Sequence, residues 1–212
     1  MRKTITTVLA LGLTAGLLAG CAAKTVNSAS KEDEKKDEFD EALYQTVCSA
    51  DDALKLSKGS DVVVIEDMGC TSGQEVWDAF YKDTSAGKPS SVLCANYYVL
   101  DPEHMSEELY EEEKDEYPQL FFTLIEFDGK EYSVKSRLSS STELESQETD
   151  TYKCLLHYTG KAPSESSLYK NYEYYVLTDD PDVTWEQIEQ GMFSSQYEAW
   201  IKHKTVYHKY TN

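Results

Sequence analysis

The segment that most restricts the fold is residues 120–138. Residues 120–127 read Leu-Phe-Phe-Thr-Leu-Ile-Glu-Phe, a composition suited to a strand. They run into Asp128-Gly129, a two-residue hairpin signal, because both central positions of a type I′ turn need positive φ. Beyond the turn, Tyr132, Val134 and Leu138 alternate with Glu131, Ser133, Lys135 and Arg137. An antiparallel pair follows, with apolar and polar side chains on opposite faces of its second strand.

Other segments extend this sheet and add helices. Asp61 to Ile65 reads as a buried strand. Residues 91–100 carry apolar side chains on both faces, as an interior strand does. Strands are also expected at 152–158 and 172–177, giving a meander. Helical spacing appears at 49–56, at 72–86 with Ser72 and Glu75 as a capping box, and after Thr184, where Gln187 completes a second box and Gly191 interrupts the helix. An acidic surface helix is expected between Asp101 and Glu116, ended by Pro118. Whether residues 194–207 form a helix or end in a strand is undecided by periodicity. The fold class expected is α+β: a mostly antiparallel sheet of about five strands with helices packed on one face.

The N-terminus carries a different kind of information. Arg2 and Lys3 precede an apolar run, residues 5–18, that falls short of the roughly 20 residues needed to span a bilayer core. At its end stands Leu18-Ala19-Gly20-Cys21, which resembles the lipobox of bacterial lipoproteins at all four positions. That resemblance implies cleavage between Gly20 and Cys21 and a diacylglycerol thioether on Cys21. Each buried methylene contributes about 0.8 kcal/mol, so two or more chains hold stably. Residues 1–20 are therefore expected to be a signal peptide, and the protein is expected on the outer face of the cell membrane.

Residues 21–39 are almost devoid of apolar side chains and rich in Lys, Glu and Asp, so burial cannot order them. Such a tether would hold a domain roughly 25 Å from the membrane on average. Residues 40–212 are long enough for one domain with a single core. The chain has 39 acidic and 20 basic residues, net −19, or −21 once Arg2 and Lys3 are removed. A phosphate backbone would repel it, which argues against nucleic-acid binding. Arg137 is the only arginine beyond the signal peptide.

Chemistry-bearing motifs are sparse. Cys48, Cys70, Cys94 and Cys154 lack metal-ribbon spacing; they are read as buried thiols, with a Cys94–Cys154 bridge as the alternative because both fall on expected strands. Cys154 and His157 sit three apart on a strand, which puts them on opposite faces and breaks a nucleophile–base dyad. The run of glutamates between Glu107 and Glu116 lacks EF-hand spacing, and His203 and His208 lack the four-residue spacing of a helical zinc pair. No catalytic residue, metal site or cofactor is assigned. The 16 tyrosines are the one excess, and Tyr97, Tyr172, Tyr174 and Tyr175 are candidates for an aromatic binding surface on the sheet, against the alternative that they simply pack it.

The succession of Asp61-Val62-Val63, Thr71-Ser72-Gly73-Gln74-Glu75-Val76-Trp77, residues 121–130 and Gly191-Met192-Phe193-Ser194-Ser195-Gln196 resembles a group of uncharacterised lipoproteins of clostridial Gram-positive bacteria. The resemblance implies an extracytoplasmic address and no activity. Two functions are carried forward. One is a non-enzymatic module that binds an envelope protein, peptide or glycan. The other is an envelope hydrolase using acidic residues, which requires a cleft with converging carboxylates or histidines.

Overall fold

A computed structural model describes residues 41–146, 149–165, 167–196 and 199–212. The chain divides into two units, Met1–Glu34 and Lys35–Asn212, and every described residue belongs to the second. The expected signal peptide, the tether and the lipidation site at Gly20 and Cys21 lie outside the described residues.

The described residues open with two short helices, α1 (Glu41–Gln45) and α2 (Ala50–Ser57), which lead into β1 (Val63–Glu66) and β2 (Gly69–Ser72). Helix α3 (Gln74–Ser85), strand β3 (Ser90–Tyr98) and helix α4 (Glu107–Glu113) follow. Then come β4 (Gln119–Phe127), β5 (Tyr132–Leu138), β6 (Asp150–Tyr152), β7 (Cys154–Lys161) and β8 (Asn171–Thr178). Helix α5 (Trp185–Met192) and strand β9 (His203–Thr211) complete the order.

The expected five-stranded α+β arrangement is overturned. Among the described residues nine strands form one sheet in the order β6-β5-β4-β3-β1-β2-β9-β8-β7. It is mixed, because β1 runs parallel to β3 while the other pairs are antiparallel. It is also nearly closed: the two edge strands, β6 and β7, are separated in sequence only by Lys153, whose N–H donates to the Thr178 carbonyl at 3.1 Å. Sequence reading missed β2 and β6 because strands of four and three residues are too short to show a period. The undecided C-terminal stretch ends as β9, which joins β2 to β8 and so connects the two halves of the sheet.

Helices lie on both faces, not one. Inside the curl, Trp77 and Phe80 of α3 pack with Val63, Cys94, Ile125, Val134, Tyr175 and Tyr207. Trp77 is fully buried and stacks on Tyr207 at 4.7 Å. Burying each such side chain contributes about 1.5–3 kcal/mol. On the outside, α1 and α2 cover Val64, Leu93, Ala95, Leu120 and Phe122. Ile188 of α5 joins Tyr174 and Val176 in a second outer cluster.

Local signals held unevenly. The 120–138 hairpin forms, but its connection is longer than a two-residue turn: Phe127 pairs with Tyr132, and Asp128 Oδ1 accepts from the N–H groups of Lys130 and Glu131 at 2.8 and 2.9 Å. Thr184 and Gln187 make the expected capping box. Ser72 and Glu75 do not, because Ser72 is drawn into β2 and the cap position is Gly73, at φ 77°. A Cβ there would stand 2.1 Å from the Val62 carbonyl oxygen. Gly191 does not interrupt α5, which continues to Met192; its bare Cα admits the Ala199 carbonyl.

Arg137 shares a face of β5 with Ser133 and Lys135, yet it is only 3% exposed. Its Nε donates to the Tyr44 carbonyl at 2.6 Å, Nη1 to Leu138 and Ser141 at 2.8 and 2.7 Å, and Nη2 to Thr46 at 2.8 Å and also to Tyr44. Every N–H of the guanidinium is thereby used. Burial pushes its pKa down.

Candidate ligand-binding site

The inner face of β3, β4 and β5 changes character along its length. At one end Val92, Cys94, Ile125, Phe127, Tyr132 and Val134 point into the curl, where α3 covers them. Two residues further along each strand, strand alternation returns the inward position to Asn96, Thr123 and Ser136. Ser136 sits directly across from Thr123, and Asn96 is their diagonal neighbour, two residues beyond Cys94, the partner of Thr123 on β3. Asn96 Nδ2 donates to Thr123 Oγ1 at 3.3 Å, and Thr123 Oγ1 lies 3.1 Å from Ser136 Oγ. Thr123 and Ser136 are 7% and 8% exposed. A row of neutral hydrogen-bonding groups thus occupies positions where apolar side chains would bury more favourably.

Next to this row is a cavity of about 430 Å³, at the mouth of the curled sheet beyond the reach of α3. That volume lies within the range of small-molecule sites, which recur in the mouths of barrels. Tyr98 and Phe121, edge to face at 5.9 Å, form one wall with Tyr117 beside them. The opposite wall is the start of β9. A bulge there, with Tyr175 opposite Tyr207 and Val176 opposite Thr205, leaves Val206 as an extra inward residue beside Lys204. Glu145 enters from the loop after β5. Burial first, then the Glu145 carboxylate and Tyr117, push the Tyr98 phenol up, so it remains a donor at neutral pH.

A larger cavity of about 550 Å³ lies near the β4–β5 turn and contains Glu126, Asp128 and Glu131. Two of its three carboxylates are committed elsewhere. Glu126 pairs with Lys135 at 3.1 Å, and the backbone N–H groups of Glu131 and Lys130 hold Asp128 below the usual carboxylate range, the reverse of what a general acid requires.

The sequence-derived tyrosines do not meet in one surface. Tyr97 is on the outer face of β3, donating to Asp51 of α2 at 2.7 Å. Tyr172 and Tyr174 stack on each other at 4.6 Å beneath Trp185 of α5. Tyr175 points inward, under the His157 ring at 4.3 Å. Tyr174 and Tyr175 are both 7% exposed, so these side chains serve packing. Tyr172 also lies across Gly160, its cross-strand partner, where a Cβ would meet its hydroxyl at 2.3 Å.

Cys94 and Cys154 lie on strands that are not neighbours, and the four described cysteines are free thiols. Burial is the leading cause that pushes each of the four up in pKa, so none has the lowered pKa of an activated nucleophile. His157 Nε2 instead meets Glu173 Oε1 at 2.8 Å. Among the described residues no group of three or more His, Cys, Asp or Glu is placed to hold a metal ion, the acidic α4 included.

Asn96, Thr123, Ser136, Glu145 and Lys204 were not singled out from the sequence. The signal available was the polar interruption, at Asn96, Thr123 and Ser136, of the inward positions of three largely apolar strands. No family model matches the chain, and neither a curated protein nor a solved structure is similar to it.

Proposed function

We propose that this protein is a membrane lipoprotein, anchored on the outer face of the cell membrane through diacylglycerol on Cys21, whose domain binds a small polar molecule in the cavity at the mouth of the sheet. The anchoring rests on the Leu18-Ala19-Gly20-Cys21 lipobox and the polar stretch after it, and kinship with clostridial lipoproteins on the resemblance described above. The observation that carries the binding reading is the Asn96–Thr123–Ser136 row, in which the buried Thr123 and Ser136 and the half-buried Asn96 line open space inside the sheet. Buried polar groups cost free energy unless satisfied, and a ligand that replaces water there with hydrogen bonds and aromatic contact would offset that cost.

Ligand-observed NMR of the full chain in detergent against a library of small polar metabolites tests this reading. Asn96→Leu, which fills the cavity from a half-buried position, serves as the blocked control. A ligand that binds the natural chain and is lost in Asn96→Leu is the expected result. A library without a ligand, or one whose ligands ignore the substitution, overturns it. Anchoring is tested separately: Cys21→Ala is expected to lose the acyl mass and leave the membrane fraction.

A further inference from the structure

We infer that the ligand of the mouth cavity is a small zwitterion, a free amino acid or a dipeptide, and this inference rests on the binding reading above. Lys204 and Glu145 line the same cavity with opposite charges. Neither makes an ion pair or side-chain hydrogen bond among the described residues, although Lys204 is half-buried and the chain carries 39 acidic residues against 20 basic ones. In so acidic a molecule, a cation that lines a cavity without pairing to a carboxylate of its own chain is available to a carboxylate brought from outside.

Charge discriminates among ligand classes. A neutral ligand, such as a sugar, would offer hydroxyl hydrogen bonds to Lys204 and Glu145 but leave both charges uncompensated in a partly desolvated cavity. A simple anion would satisfy Lys204 but meet Glu145 and the negative field of the whole chain, and a simple cation would leave Lys204 unanswered. Only a molecule with both charges neutralises both side chains, and charge-assisted hydrogen bonds are stronger than neutral ones. Its carboxylate goes to the Lys204 ammonium and its ammonium to Glu145. The atoms between them lie along the Asn96–Thr123–Ser136 row, whose hydroxyls and amide both donate and accept. The Tyr98–Phe121 wall then takes a short apolar side chain. Because Lys204 and Glu145 are partly or fully exposed and hold no partner of their own, replacing them leaves the fold intact.

The test is a titration of the isotopically labelled full chain in detergent with L-alanine, L-alanyl-L-alanine, N-acetyl-alanine amide, acetate and glucose, following the amide signals of Asn96, Thr123 and Ser136. Alanine or dialanine is expected to shift these signals, and which of the two binds more tightly separates an amino-acid site from a peptide site. N-acetyl-alanine amide, the same skeleton without charges, is expected to bind at least tenfold more weakly. Lys204→Gln and Glu145→Gln should each weaken the zwitterion at least tenfold with unchanged thermal midpoints. Equal binding of the uncharged amide, or affinity unchanged in both variants, overturns the inference. Shifts produced by glucose alone overturn the zwitterion while leaving the cavity as a binding site. If none of the five probes shifts these signals, the zwitterion fails, and the cavity itself is judged by the Asn96→Leu comparison.

Discussion

The guanidinium of Arg137 lies 5.1 Å from the centroid of the Tyr44 ring and donates to the carbonyl of the same residue, so one side chain of β5 holds the end of α1 by both its ring and its backbone. A helix of five residues cannot sustain itself. Arg137 supplies a cation at the carbonyl end of α1, where the helix dipole favours one. Arg137→Ala should therefore destabilise the domain by about 2–4 kcal/mol, since several charge-assisted hydrogen bonds are lost together. Arg137→Lys should recover only part of that, because an ammonium lacks the planar fork. Chemical denaturation of both variants measures the difference, and equal stability of the Ala variant and the natural chain would refute the role.

Gly73 is the tightest point between β2 and α3. Gly73→Ala must adopt a left-handed φ and push a methyl group into the Val62 carbonyl, so a loss of about 2–4 kcal/mol is expected. Gly87→Ala is the control. It too has positive φ, yet nothing stands within 4 Å of its Cβ, and thermal unfolding should show a clearly smaller loss there.

His208 gives the domain a dependence on mild acid. Burial lowers its pKa, and the nearby Asp67 offsets this only in part. With the folded value below the unfolded one near about 6.5, its contribution is fully present above the unfolded value and is lost as pH falls from there through the folded value. Between pH 7 and 5, urea titrations should show a decline that is shallower in His208→Gln. The difference in slope cannot exceed about 1.4 kcal/mol per pH unit for one group. Parallel declines would remove His208 from the account.

Thiol labelling separates the cysteines. Cys94 is fully buried and its pKa is pushed far up by that burial, so it should resist a thiol reagent in the native protein by orders of magnitude relative to the half-buried Cys48, Cys70 and Cys154. In denaturant all four should react. If only two react in denaturant without reductant, a disulfide is present and the free-thiol arrangement is wrong.

Residues close together in sequence were legible where the physics is local. The hairpin after Phe127, the Thr184–Gln187 box and the helix beginning near Ser49 depend on contacts within a few residues, and they appear in the structure. The Ser72–Glu75 box had equally good residues and failed, because pairing with β1 drew Ser72 into a strand. The tyrosines were readable as strand residues but not as a site. Alternation assigns Tyr174 and Tyr175 to opposite faces of β8 without saying that α5 covers one and α3 the other.

By itself, the sequence determined that this chain has an antiparallel core around residues 120–138 and a strongly acidic composition, and that Leu18-Ala19-Gly20-Cys21 resembles a lipobox, because each is a property of composition or of neighbours along the chain. Tertiary structure alone decided that nine strands among the described residues form one nearly closed sheet, that Arg137 is buried, and that Asn96, Thr123 and Ser136 face Lys204 across a cavity. Those outcomes depend on register and curvature between segments far apart in sequence. No single segment encodes them, since a strand's period names its two faces but not what each will meet.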